Sequence, residues 1–165
     1  ILEHKGLYWS KVKGTEDART IEPSEDYVVP LGKGRIVVHA EKELAVTVVT
    51  YGMGVYWAKG AAKQLPGQVE IIDLRTIFPL DEQIILESVM KTGRCLVLTE
   101  EPANNSFARA VAGFISEKCF EHLDAPVKTL GSECLPAIPL NSILESTMLP
   151  NAEKVQQALN TLLSY

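Results

Sequence analysis

The run Leu44-Ala45-Val46-Thr47-Val48-Val49-Thr50 constrains the fold more than any other stretch of the chain. Its residues are apolar or β-branched almost without interruption, with no alternation between an inner and an outer side. A strand of that kind is buried on both faces, which is the condition of a parallel sheet covered by helices above and below. The flanking sequence supplies those helices. Gly54 to Leu65 suits a helix, Val69 to Asp73 a strand, Asp81 to Lys91 a helix and Arg94 to Glu100 a strand, with a short strand Ile36-Val37-Val38 ahead of the run. A further helix is expected from Ser106 to Leu123, with Phe107, Val111, Phe114 and Ile115 on one side, and a further strand from Pro126 to Leu130. Asn151 caps a last helix in which Val155, Ala158, Leu159, Leu162 and Leu163 fall at i, i+3, i+4, i+7 and i+8. Alternation of this kind predicts an α/β fold, a three-layer α/β/α sandwich around a mostly parallel five-stranded sheet whose first strand is free to run antiparallel.

Local signals sharpen the boundaries. Asp81 is placed to accept hydrogen bonds from the first N–H groups of its helix, and Lys91 ahead of Gly93 suits a left-handed stop. Gly131 to Pro150 reads as a long irregular connection with one helical turn around Ser142 to Glu145. Tyr8 to Lys33 is polar, acidic and aperiodic, hence a linker, and Ile1 to Lys5 reads as the end of a strand arriving from upstream. The chain therefore reads as part of a longer protein, with residues 1–33 a tail and linker and residues 34–165 the domain proper.

Charge and composition exclude several functions. Sixteen Lys and Arg against 21 Asp and Glu give a net charge of −5 with the basic residues scattered, so no nucleic-acid partner is expected. Apolar runs fall far short of the ~20 residues of a membrane span, so no membrane partner is expected either. Three cysteines, Cys95, Cys119 and Cys134, have neither CxxC nor Cys/His ligand spacing. They read as reduced thiols in a cytoplasmic compartment, with no metal site.

Four groups of residues are candidates for chemistry. Tyr51-Gly52-Met53-Gly54-Val55-Tyr56 follows the buried strand and opens a helix, and Asp73 lies about 20 residues on, as in a dinucleotide-binding turn. Trp57 stands at the third glycine position, so the alternatives are a nucleotide-binding module and a tight turn that needs permissive backbone. Asp73 and Arg75 are two apart and would share a strand face as an ion pair. Glu100 and Glu101 end a central strand, where they suit acid–base chemistry or form an acidic loop feeding the next helix. His4, His39 and His122 have no nucleophile at motif spacing, and GxSxG, HExxH and GxxxxGK[ST] are absent from the sequence.

Four blocks then carry a family likeness: Val29-Pro30-Leu31-Gly32-Lys33-Gly34-Arg35-Ile36-Val37, Val46-Thr47-Val48-Val49-Thr50-Tyr51-Gly52, Asp73-Leu74-Arg75-Thr76-Ile77-Phe78-Pro79-Leu80-Asp81 and Ser88-Val89-Met90-Lys91-Thr92-Gly93-Arg94. Leu123-Asp124-Ala125-Pro126-Val127 and Leu149-Pro150-Asn151-Ala152-Glu153-Lys154 extend it. The chain resembles the carboxyl-terminal domain of the beta subunit of 2-oxoacid dehydrogenases of the pyruvate and branched-chain type, with the transketolase C-terminal fold. The resemblance implies a whole enzyme that decarboxylates a 2-oxoacid oxidatively and passes the acyl group to a lipoyl arm. It implies thiamine diphosphate and magnesium held between the alpha subunit and the beta subunit's first domain. No catalytic, cofactor-binding or metal-binding residue is expected within this chain, which is expected to be inactive alone.

The implied partners are an alpha subunit or fused alpha half, a second beta subunit, and the small basic subunit-binding domain of the acyltransferase core. By position, Asp124 and the carboxylate of Tyr165 would grip that basic domain. Two stretches depart from the family pattern. Asn105-Ser106-Phe107-Ala108-Arg109 stands where relatives read Gly-Gly-Phe-Gly and an acid, and Ser132 to Pro139 lacks the Asp-x-Pro-x-Pro-Tyr pattern. The same fold also serves transketolase and deoxyxylulose phosphate synthase, which remain alternatives.

Overall fold

The structure, a computed structural model, describes residues 1–8 and 11–165. Five strands and five helices follow one another as β1 (Arg35–Val38), β2 (Val46–Thr50), α1 (Met53–Ala62), β3 (Val69–Asp73), α2 (Glu82–Thr92), β4 (Cys95–Pro102), α3 (Phe107–Lys118), β5 (Lys128–Ser132), α4 (Ser142–Met148) and α5 (Ala152–Leu163). The sheet order is β1-β3-β2-β4-β5, with β1 antiparallel to β3 and every other pair parallel. All five residues of β2 are buried, as its composition demands. Val48 lies between Ile71 and Leu96 on its two neighbours.

Successive residues of β2 feed opposite layers. Val46 and Val48 join Ile71, Leu96 and Leu98 in a core closed by Ala58 and Ala61 of α1 and by Val155, Leu159 and Leu162 of α5. Val49 joins Ile72 and Val97 under Ile85 and Val89 of α2 and Val111 and Ile115 of α3. Each such side chain taken fully out of water contributes roughly 1.5–3 kcal/mol, which is why the helices are held to both faces. The three-layer sandwich and the five-stranded sheet are thus as expected. No helix among the described residues is long and apolar enough to cross a membrane.

Several boundaries move for identifiable reasons. Helix α1 stops at Ala62 because Gln64 and Leu65 donate to the carbonyls three residues back, tightening the chain ahead of Pro66 and Gly67. Helix α3 stops at Lys118 and its last turn is a separate 3-10 turn at Phe120–His122. Strand β5 begins at Lys128, two residues past Pro126, which has no N–H to give a ladder. The single turn expected near Ser142 is the two-turn α4, capped by Asn141, whose Oδ1 accepts from the Ile143 N–H at 2.9 Å. Ile1 to Lys5 forms no strand end, and a 3-10 turn occupies Lys5–Leu7. Among its described residues the linker carries a short 3-10 turn at Glu16–Ala18 and hydrogen-bonded turns from Val12 to Thr15 and from Ser24 to Tyr27, Trp9 and Ser10 lying outside them.

Asp81 is the clearest correction in local chemistry. It stands at the N-cap of α2 but caps nothing with its side chain. Its Oδ2 instead accepts from the Gly34 N–H at 3.0 Å, and Oδ1 lies 3.9 Å from Lys33 Nζ, so the carboxylate ties the approach to β1 onto α2. Ser106 and Asn151 do cap their helices, accepting from the N–H groups of Arg109 at 3.1 Å and Lys154 at 2.9 Å. Gly93 makes the expected left-handed stop, with φ 65°.

Buried polar groups gather at the amino end of the sheet. The Glu70 carboxylate is 1% exposed and accepts from Ser88 Oγ at 2.6 Å and Lys91 Nζ at 2.5 Å, both on α2. Thr47 Oγ1 meets Ser88 Oγ and Thr92 Oγ1, each at 2.8 Å. Burial alone would push the Glu70 carboxyl up, but hydrogen bonds from Lys91 and Ser88 and the Lys91 charge outweigh it and hold the group below its ordinary value of 4.5. A depressed carboxyl stabilises the fold above its unfolded value, and that stability is lost as pH falls through the folded value. Glu70→Gln is therefore expected to lower stability by about 1–3 kcal/mol at pH 7 and to flatten the fall in stability below about pH 4.5, as read by urea unfolding across pH.

Gly54 explains how closely α1 approaches the sheet. A methyl group there would overlap Thr50 Oγ1 and lie 3.4 Å from Leu98 Cγ, so the glycine sets the spacing of helix and strand. Gly113, on the exposed side of α3, has open space where a methyl group would stand, with nothing within 4 Å. Gly54→Ala is expected to cost about 1–3 kcal/mol through overpacking. Gly113→Ala is expected to add roughly 0.5–1 kcal/mol through helix propensity. Thermal unfolding of the two variants should shift in opposite directions.

Candidate functional site

Two edges of the sheet carry the polar residues, and the topology decides which residues share an edge. The chain leaves β2 for β3 on one side and returns across it to β4 on the other, so the order reverses between β2 and β4. Open α/β sheets bind ligands in the crevice at the carboxyl end of such a pair. Here Tyr51 and Gly52 leave β2, and Glu100 and Glu101 stand near the end of β4. The Tyr51 hydroxyl hydrogen-bonds Thr99 Oγ1 at 2.9 Å and donates to Glu101 Oε1 at 3.3 Å, while its ring packs edge-on against Phe107, with centroids 6.0 Å apart. Burial, with the negative charges of Glu101 and Glu100 beside it, pushes the Tyr51 phenol up.

One side chain of the leading segment, His4, reaches the crevice. His4 Nε2 lies 2.8 Å from Glu100 Oε2, and the imidazole edge is 3.5 Å from where a Cβ on Gly52 would stand. Gly52 has φ 56°, a conformation that favours glycine. A diphosphate at this turn would face two carboxylates and displace the imidazole, so the geometry opposes the dinucleotide reading. The glycines serve the backbone and packing instead: Gly52 takes the left-handed conformation of the turn and Gly54 lets α1 approach Thr50. Trp57 packs against the core on the α5 side.

Two other expectations at this edge are corrected. Strand β3 ends at Asp73, and Arg75 lies beyond it with φ 59°, so the two do not share a strand face. Their contact is a turn in which the Arg75 N–H donates to Asp73 Oδ1 at 3.1 Å. Glu100 and Glu101 are not a loop feeding α3; both lie within β4, and the first turn of α3 holds no acid. Of the other histidines, His39 Nδ1 is 4.0 Å from the Glu70 carboxylate and His122 closes the 3-10 turn after α3.

Asp124 and Tyr165 lie at the opposite edge, where β4 begins and α5 ends. Asp124 Oδ2 accepts from Arg94 Nη1 at 2.8 Å, and Arg94 Nε donates to the Leu162 carbonyl at 3.2 Å, three residues before Tyr165. Asp124 and Tyr165 remain well exposed, whereas Arg94 is buried. Local sequence does not single out Arg94 as functional, because its partners are 30 and 68 residues away. The one available signal is a permanent charge directly ahead of the apolar run Cys95-Leu96-Val97-Leu98. Cys95 and Cys119 are buried free thiols, both pushed up by burial, and Cys134 is exposed and free.

The family described as transketolase, C-terminal domain, matches residues 32–155. The chain belongs to the transketolase C-terminal domain family. This domain is similar to the 2-oxoisovalerate dehydrogenase subunit beta of Bacillus subtilis, 36% identical over 99% of this chain and 48% of the relative. It is also similar to the pyruvate dehydrogenase E1 component subunit beta of Rhizobium meliloti, 38% identical over 84% of this chain and 30% of the relative. A third relative is the acetoin:2,6-dichlorophenolindophenol oxidoreductase subunit beta of Bacillus subtilis, 33% identical over 94% of this chain and 45% of the relative. The chain spans about half the length of the first of these relatives, and less of the second. In fold, it matches a split gene transketolase described as an inactive beta4 tetramer, with TM-score 0.67 and 22% identity over 86% of this chain and 45% of that one.

The contact that seats the leading segment of this transketolase C-terminal domain is partly exposed, so its worth is small. Glu100→Gln is expected to change global stability by less than about 1 kcal/mol while raising amide hydrogen exchange in residues 3–8. Unchanged exchange there would mean that the His4 contact does not hold the segment.

Proposed function

We propose that this transketolase C-terminal domain is the assembly and docking domain of the beta subunit of a thiamine-diphosphate-dependent 2-oxoacid dehydrogenase. The observation that carries the reading is similarity along 99% of the chain to a 2-oxoisovalerate dehydrogenase beta subunit, together with the family match over residues 32–155. In the whole enzyme the reaction would be oxidative decarboxylation of a 2-oxoacid with transfer of the acyl group to lipoyl, in the cytoplasm.

Thiamine diphosphate and magnesium do not suit the residues of this chain. The switch-point crevice presents Glu100 and Glu101, repulsive to a diphosphate, and His4 already lies across its glycine turn. Among the described residues no group of three or more His, Cys, Asp or Glu is placed to hold a metal ion. No step of the decarboxylation is therefore assigned to this chain. Its contribution is to present surfaces. One edge receives the leading segment through Glu100, and the other offers Asp124 and the Tyr165 end to the small basic domain of the acyltransferase core. A net charge of −5 favours encounter with a basic partner. The remaining partners would be an alpha subunit or fused alpha half and a second beta subunit, giving a dimer of this domain.

The test is a decarboxylation assay on the full-length gene product with its partner subunit, thiamine diphosphate and magnesium. Branched-chain 2-oxoacids, pyruvate and acetoin are run in parallel with sugar phosphates and an aldose acceptor. Turnover of a 2-oxoacid with acyl transfer to lipoyl is expected. Activity confined to acetoin or to sugar phosphates, or silence on every 2-oxoacid, would overturn the proposal.

A further inference from the structure

We propose that the cleft between α1 and residues 13–17 of the linker is a binding site for an apolar zwitterion, an α-amino acid with an aromatic side chain. The cleft has a volume of about 860 Å³, within the range of small-molecule sites. Tyr56 and Trp57 of α1 give it an aromatic wall, continued by Met53 and by Val38 at the end of β1. Trp57 is partly buried and packs against the core, so this wall stands without a ligand to order it. The linker forms the facing wall and is fastened in place. Thr15 is fully buried, its Oγ1 donating to the Val12 carbonyl at 2.6 Å. Lys59 Nζ lies 2.5 Å from Asp17 Oδ2 and 5.7 Å from the centre of the Tyr56 ring, which ties the linker to α1.

Charge decides the class of ligand. Lys13, Lys59 and Lys63 face Glu16, Asp17 and Glu41 around the cleft, so with His39 neutral the lining has no net charge and a ligand of net charge gains little from it. Half of these groups already have partners. Lys59 is paired with Asp17, and Glu16 Oε1 accepts from the Gly14 N–H at 3.1 Å. The side chains of Lys13, Lys63 and Glu41, in contrast, make no ion pair or hydrogen bond to a described residue. Uncommitted cations and an uncommitted acid beside an aromatic wall complement a carboxylate, an ammonium and a planar apolar side chain, which are the three groups of an aromatic amino acid. An aromatic carboxylate without an amine would leave Glu41 unanswered and add its own charge to it. An aromatic amine without a carboxylate would meet two unanswered lysines.

The experiment measures binding to the full-length protein, with its partner subunit, by calorimetry. The probes are L-phenylalanine and three ligands that each lack one of its groups: 3-phenylpropanoate lacks the ammonium, 2-phenylethylamine the carboxylate and glycine the ring. L-Phenylalanine is expected to bind saturably, and each of the other three about tenfold or more weakly than it does. Amide hydrogen exchange is expected to slow in residues 11–18 and 53–63 when L-phenylalanine is added, which places the binding at this cleft. Glu41→Gln and the double substitution Lys13→Met with Lys63→Met change only exposed side chains and separate the two charged ends. The first is expected to abolish the preference for L-phenylalanine over 3-phenylpropanoate, and the second the preference over 2-phenylethylamine. The proposal is overturned if L-phenylalanine does not bind saturably, or if a ligand lacking one of its groups binds as tightly. It is overturned equally if protection falls only on other residues, or if both preferences survive the substitutions.

Discussion

Burial of β2 on both faces is the constraint from which the rest of the molecule follows. A strand with no polar side cannot stand at an edge or face water, so it takes the centre of the sheet with β3 and β4 as parallel neighbours. Parallel neighbours need crossover connections, and the crossovers are the helices that cover the two faces. Every parallel strand then ends on the same side, and the chain acquires two chemically distinct edges before any particular polar residue is considered.

The two edges are built to different stiffness. At the amino edge the buried polar groups are tied to neighbouring elements. Glu70 is held by Ser88 and Lys91 of α2, Thr47 by Ser88 and Thr92, and Arg94 by Leu162 and Asp124. Burial strengthens such bonds and penalises their loss, so the groups move together or not at all. The carboxyl edge is held more lightly. Its contact with the leading segment is a hydrogen bond whose members are about a third exposed, His4 at 33% and Glu100 at 39%.

Much of the fold is legible in the sequence because its signals are local. The buried run, the stripe at Val155, Ala158, Leu159 and Leu162, the cap at Asn151 and the stop at Gly93 all act within a few residues. Local reading misleads where a side chain has a better partner far along the chain. Its position beside α2 makes Asp81 look like a cap, but Gly34, 47 residues away, offers an N–H. Pro102 makes Glu100 and Glu101 look like a loop, although β4 continues through both to Pro102, which pairs with Ser132 of β5 beyond an irregularity in the ladder. The glycine turn invites a nucleotide reading that His4, far upstream in the chain, makes sterically poor and the carboxylates of Glu100 and Glu101 make electrostatically poor.

By itself, the sequence determined the layer architecture, the order of strands and helices, and the likeness to beta-subunit domains, because hydrophobic period, capping and ordered motifs are properties of short windows. Tertiary structure alone decided what the charged residues do. Asp124 became the counterion of Arg94, Glu100 the seat of His4, and Glu70 a buried anchor of α2. The reason is physical: the energy of a charge depends on its burial and on which opposite charge or donor lies within about 4 Å. Those quantities are set by the folded sheet and not by spacing along the chain.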